Sequence, residues 1–189
     1  MSVEYPVVPF ASQADWKAWL QQHVASDGVW VKMAKKVSGI SSITYAQALE
    51  EALCFGWIDG QSKTIDATWY MQKFTPRRSK STWSKVNVEK VNELAAAGRM
   101  QPGGLAAVQA AKADGRWERA YDSPTTITMP SDFKDALSRH SGAMEFYESL
   151  NKTNKFAFLY RIQAAKKPET RRARIEKFTL MLGKGEKFY

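Results

Sequence analysis

The chain predicts an α+β fold: a small antiparallel sheet packed by helices in the N-terminal half, followed by a helical C-terminal module. Two patterns and one bound predict it. Runs of period-two alternation, punctuated by Pro, Gly and Asp, lie before Pro76. Beyond Ser81 the apolar residues recur at helical spacing. The 189 residues, 44% hydrophobic and 12% aromatic, suffice for one well-buried core, or for a domain with a smaller appendage.

In order, Tyr5–Phe10 reads as a short strand that Pro6 and Pro9 confine to an edge, since neither nitrogen can donate to a ladder. Ser12 offers an N-cap for a helix carrying Trp16, Trp19, Leu20 and His23 on one face, and Gly28 is expected to stop it. Val29–Lys36 alternates as a strand, with Val29, Val31 and Met33 opposite Trp30 and Lys32. A loop then leads to Thr44, the expected cap of a helix through Tyr45, Ala48, Leu49, Ala52 and Leu53. Gly56 fits the left-handed residue that closes such a helix. Asp59-Gly60 signals a tight turn, and Gln61–Asp66 and Thr68–Thr75 read as strands paired about Ala67.

Ser81 is the expected cap of the next helix, striped by Val88, Val91, Leu94 and Ala95 and ended by Gly98. Gly103-Gly104 reads as a break before a helix through Leu105, Val108 and Ala111 that stops at Gly115. Arg116–Pro130 has no period and reads as a linker or wrapped loop. Ser131 caps a helix to His140, and Ser141 starts another through Phe146 and Leu150. Asn151 or Thr153 opens a third with Phe156, Leu159 and Ile162. Pro168, suited to a first helical turn, opens the last, which buries Ile175, Phe178 and Leu182. The division expected is a mixed part over residues 1–122 and a helical module over 123–189, together one compact unit.

The net charge of +9 is uneven. Met71–Lys90 holds six basic residues against Glu89, and Lys152–Lys187 holds eleven against Glu169, Glu176 and Glu186. That polarity points to an acidic partner: nucleic acid, a phosphorylated metabolite or an anionic surface. The single cysteine, Cys54, excludes an internal disulfide and reads as a small buried hydrophobe. Two histidines, His23 and His140, far apart in sequence, supply no metal set, and no cofactor is expected. No run is long enough to cross a bilayer and no secretory leader is visible, so a cytoplasmic location is expected.

The window Cys54–Asn87 is the densest in chemistry. Phe74-Thr75-Pro76-Arg77-Arg78-Ser79-Lys80-Ser81 leaves a strand and approaches a helix, where free N–H groups and the helix dipole favour anions. Arg77 and Arg78 offer bidentate contacts to phosphate or carboxylate, Ser79, Ser81 and Ser84 hydroxyls, and Lys85 a further cation. Asn87, one turn beyond Trp83, projects to the same side. Trp57 and Trp83 are candidate apolar walls; each also suits a core. Asp59 is the candidate acid, or else a turn acceptor. Lys166, Lys167, Arg171, Arg172 and Arg174 form a second basic surface, or a solvated helix face.

Taken together, EALCFGWIDG, FTPRRSKSTWSKVN, Gly98-Arg99-Met100, AKADGRW and IQAAKKPETRRARIEKF resemble the YdeI/OmpD-associated family, often called bacteriocin-protection proteins, from Trp16 to about Leu182. The resemblance implies a bacterial protein with a mixed N-terminal part and a helical C-terminal module. It implies an association with an outer-membrane porin and with tolerance of membrane-active agents, and it carries no catalytic residues.

The expectation is therefore a non-enzymatic protein of the stress or envelope-tolerance response, binding an anionic small molecule or an acidic protein partner. One alternative is a nucleic-acid binder using both basic groups. Another is an enzyme acting on a phosphorylated or carboxylated small molecule with Asp59 as general base. No Walker loop, GxSxG elbow or dinucleotide fingerprint favours a specific reaction. Oligomeric state is not legible.

Overall fold

Alternating apolar residues and one tight hairpin build a four-stranded sheet, seen in a computed structural model that describes residues 4–189. Strands β1 (Val7–Pro9), β2 (Val29–Ala34), β3 (Trp57–Thr64) and β4 (Trp69–Pro76) run in the order β1-β2-β4-β3. The fold is α+β as expected. One part differs: β1 pairs parallel to β2, so the sheet is mixed, with its other two pairings antiparallel. A parallel neighbour needs a crossover, and α1 (Gln13–Gln22) supplies it.

Contacts divide the chain into two units. The first comprises residues up to Trp83 with Asn87–Arg119; the second comprises Ser84–Val86 with Ala120–Tyr189. In the first unit, α1 and α2 (Tyr45–Cys54) each begin with a capping box, Ser12 with Asp15 and Thr44 with Gln47. Trp16, Leu20, Ala48, Ala52 and Leu53 of these helices are buried together with Val29, Val31, Met33, Trp57 and Phe74 of the sheet. The Trp16 ring tilts against Phe74 and meets Trp57 edge-on, and its Nε1 donates to Ala48 O at 3.0 Å.

Several boundaries move, each for a local reason. Gly28 does not stop α1. The helix ends at His23, whose ring stacks on Trp19 at 4.1 Å, while Gly28 sits where the chain turns into β2 against Thr75 and Phe74. Asp59-Gly60 is not a turn but lies within β3, at an irregularity between Asp59 and Ser62. Gln72 Nε2 donates there to Gly60 O (2.8 Å) and Gln61 O (3.2 Å), satisfying carbonyls displaced from the ladder. The reversal comes at Asp66, whose Oδ1 accepts the Thr68 and Trp69 amides, both at 2.7 Å.

Ser81 does not cap a helix, since α3 (Lys85–Ala96) starts only after Ser84 has bridged to Tyr121. Gly103-Gly104 is not a break either: both lie in the first turn of α4 (Pro102–Ala113). A Cβ on Gly104 would stand 2.1 Å from Cys54 O, and one on Gly103 2.7 Å from Phe55 O, so the α4 backbone rides directly on the end of α2. Gly56, at φ +79°, closes α2 as expected and faces Gly103 O equally closely.

The second unit is helical: α5 (Ser131–Ser138), α6 (Ala143–Ser149), α7 (Lys152–Gln163) and α8 (Pro168–Gly183). Asn151 caps α7, and Pro168 stands in the first turn of α8. Ser131 and Ser141 are displaced from their expected capping places by Pro130 and Gly142. Phe133, Leu137, Tyr147, Phe158, Ile162, Ile175, Phe178 and Leu182 fill one core.

Candidate functional site

The basic loop after β4 is held by its own chain. Arg77 N donates to Gly56 O at 2.9 Å, tying the end of β4 to the glycine that closes α2. Arg78 N donates to Ser81 Oγ at 3.0 Å and Ser81 N to Arg78 O at 2.9 Å, a closed turn that leaves Ser79 and Lys80 exposed. The Ser81 hydroxyl oxygen thus accepts from its own loop. Arg77 turns inward: Nη1 donates to Thr82 O at 3.1 Å, and the guanidinium carbon lies 3.5 Å from the centre of the Trp83 ring. Trp83 is buried, meets Trp117 edge-on at 4.9 Å, and keeps an Nε1 with no hydrogen-bond partner among the described residues.

Arg116 completes this frame. Its Nη1 donates to Ser81 O at 2.9 Å, and its Nε to both oxygens of Asp114 at 2.8 and 2.7 Å. Sequence reading did not single it out as a site residue, although AKADGRW places it two residues after an acid and next to Trp117. Beside the loop, Tyr5, Asp27, Thr75, Pro76, Arg77 and Arg78 line a cavity of about 370 Å³. Arg78 is exposed, and its guanidinium makes no hydrogen bond or ion pair among the described residues.

The remaining expected residues go elsewhere. Trp57 is 3% exposed and belongs to the core. Asp59 accepts from the Tyr45 hydroxyl at 2.9 Å. Asn87 is half-buried on α3. In the second unit, Lys85 pairs with Asp122 at 2.7 Å, and Gln163 Nε2 donates to the same carboxylate at 2.6 Å. Lys85, ahead of Gln163, holds the Asp122 carboxyl below its ordinary range.

The second basic group is partly consumed as well. Arg171 forks onto Asp132 with two bonds of 2.8 Å, and this hydrogen bonding keeps the Asp132 carboxyl below its ordinary range. Arg174 Nη1 donates to Arg161 O. Lys166, Lys167 and Arg172 stay exposed. Cys54 is buried, and burial, with Glu51 nearby, pushes its thiol up to about 11, which suits packing rather than nucleophilic attack. Among the described residues no three His, Cys, Asp or Glu side chains gather as a metal set, and no helix is long and apolar enough to cross a membrane.

Comparison with known proteins adds a family to this geometry. Residues 8–107 match the family described as Domain of unknown function (DUF8412), and residues 126–185 match the one described as Bacteriocin-protection, YdeI or OmpD-Associated. No curated protein and no solved structure matches the chain. The YdeI/OmpD-associated match takes in IQAAKKPETRRARIEKF, whereas EALCFGWIDG and FTPRRSKSTWSKVN fall in the other stretch, so the likeness expected over nearly the whole chain divides in two. The protein belongs to the family described as Domain of unknown function (DUF8412), and its residues 126–185 are similar to the YdeI or OmpD-associated family.

Proposed function

We propose that the protein is a non-enzymatic binding protein for a small anion, received in the cavity beside Arg77 and Arg78. One observation carries this reading: Arg78 stands exposed at that cavity with its guanidinium uncommitted among the described residues, while the loop under it is closed by its own hydrogen bonds. A guanidinium presents five N–H donors in a planar fork suited to phosphate or carboxylate. Asp27 lines the same cavity and would repel a bare anion, which favours a ligand that also carries a hydroxyl or amine. Ser79, next to Arg78, adds a hydroxyl within the same turn. Such a ligand is a free metabolite, of the class of a sugar phosphate or an amino acid. The family matched over 126–185 is described by bacteriocin protection, and a cytoplasmic role in tolerance of that kind of stress is the biological setting we propose.

The test is a thermal-shift titration with inorganic phosphate, a sugar phosphate and an amino acid, on the wild-type chain and Arg78→Ala. The expected result is a shift that persists at moderate salt and disappears in the variant. The unliganded variant itself should stay within about 0.5 kcal/mol of wild type, as surface substitutions do. A shift retained by Arg78→Ala removes the cavity from the account, and no shift with any of the three ligands removes small-anion binding.

A further inference from the structure

The outward face of the sheet joins charges and rings that are scattered in sequence. Register decides which side chains share it, because paired residues point the same way. Trp30 registers with Val7 on one side and Lys73 on the other; Lys32 registers with Pro9 and Met71; and Met71 registers in turn with Lys63. Trp69 and Thr75 extend this set along β4 at two-residue spacing. The buried Val29, Val31 and Phe74 occupy the opposite face. On the outward side Val7 is 50% exposed, Lys63 is exposed, and Lys32, Trp69, Met71 and Lys73 are half-buried.

Here three lysines lie on aromatic rings. Lys32 Nζ is 4.5 Å from the centre of Trp69, and Lys63 Nζ is 4.8 Å from that of Trp30. Lys73 Nζ stands 5.7 Å from Trp30 and 5.8 Å from Tyr5. The strands contain a single acid, Asp59, and its register with Phe74 sends it to the other face. Asp66, in the β3–β4 turn, is bound to backbone amides, and Asp27 lines the cavity with Tyr5. The face is therefore positive and carries flat apolar rings, held under ammonium groups by an attraction that is weak where water has access. A phosphate competes well for such an ammonium, and drawing it aside uncovers a ring.

We infer that this sheet face is a docking platform for single-stranded nucleic acid, with backbone phosphates on Lys32, Lys63 and Lys73 and bases stacked on Trp69 and Tyr5. Charge complementarity selects a polyanion, and the rings select one whose flat faces are free to stack. A duplex hides its base faces and is read through grooves by a projecting helix or ribbon, which a sheet face does not provide. The platform does not rest on small-anion binding beside Arg78.

Fluorescence anisotropy with a labelled oligo(dT) of about 16 nucleotides, the upper end of common site sizes, tests this. Binding is expected at low salt, falling linearly in log–log form as salt rises. Lys32→Gln, Lys63→Gln and Lys73→Gln combined should reduce that slope by about 2, at roughly 0.7 per phosphate contact. Arginine at the same three positions should restore it, which separates lost charge from lost fold. Trp69→Leu should weaken the oligonucleotide roughly tenfold while leaving inorganic polyphosphate unaffected. The platform is overturned by no binding at low salt, by a wild-type slope in the triple Gln variant, or by equal binding of a duplex or of phosphatidylglycerol vesicles.

Discussion

Arg77 and Arg78 are neighbours of the same chemistry, and their surroundings give them different work. Arg77 lies on the buried Trp83 ring and donates to Thr82 O, so its removal should be felt in stability. A desolvated cation–π contact contributes about 2 kcal/mol. Arg77→Ala is expected to lower unfolding free energy by that order in a urea titration, and Arg77→Lys should recover less than half, because an ammonium lacks the planar stack. An unchanged urea midpoint in Arg77→Ala would sink this assignment. The sequence made both arginines legible as anion donors, but not which of them folds back. That choice depends on Gly56 O capturing Arg77 N and on Ser81 closing the turn behind Arg78, contacts that residue type alone does not encode. Trp57 is open to two readings for a similar reason: an indole after a left-handed glycine suits a cleft as well as a core, and the edge-on Trp16 places it in the core.

At the scale of elements, the signals that are purely local read well. Ser12 and Thr44 cap the helices they were expected to cap, Asn151 rather than Thr153 caps α7, and Gly56 and Gly98 take the left-handed conformation at helix ends. The misreadings arise where tertiary contacts override a local motif. Asp59-Gly60 has turn chemistry, yet Gln72 reaches across to satisfy its displaced carbonyls and the strand runs on. Ser81 has capping chemistry, but Arg116 and Arg78 engage it first. Gly103-Gly104 reads as a helix breaker, and glycine is there instead because nothing larger fits against α2. That reading gives a sharp expectation: Gly104→Ala places a methyl group 2.1 Å from Cys54 O and should destabilise the first unit by about 3 kcal/mol, seen as a fall in its thermal midpoint. Gly98→Ala meets no atom within 4 Å and serves as the control, costing only the strain of its φ of +66°. Equal losses in the two variants would contradict close packing as the cause.

Over the whole chain, a net charge of +9 makes each engaged carboxylate count. Three have pKa values below their ordinary range: Asp66 through the Thr68 and Trp69 amides, Asp122 through Lys85 and Gln163, and Asp132 through Arg171. Each is more acidic folded than unfolded. Its stabilising effect is therefore complete above the ordinary carboxylate value of about 3.9 and is withdrawn as pH falls through the depressed one. Asp132→Asn should cost about 1 kcal/mol or less at neutral pH, since the pair is partly exposed. The gap from wild type should close as pH drops below about 4. Urea unfolding at a series of pH values checks this, and a gap independent of pH would exclude the Arg171 pair as its source.

The backbone contact between the end of α2 and the start of α4 also bears on how this chain can change over generations. Most packed neighbours drift by exchange, one side chain growing as another shrinks. Where Gly103 and Gly104 meet the carbonyls of Cys54 and Phe55, the glycines are already at minimum size and the carbonyls belong to every residue. No second-site substitution can make room, so these positions can vary only if an entire helix shifts with them.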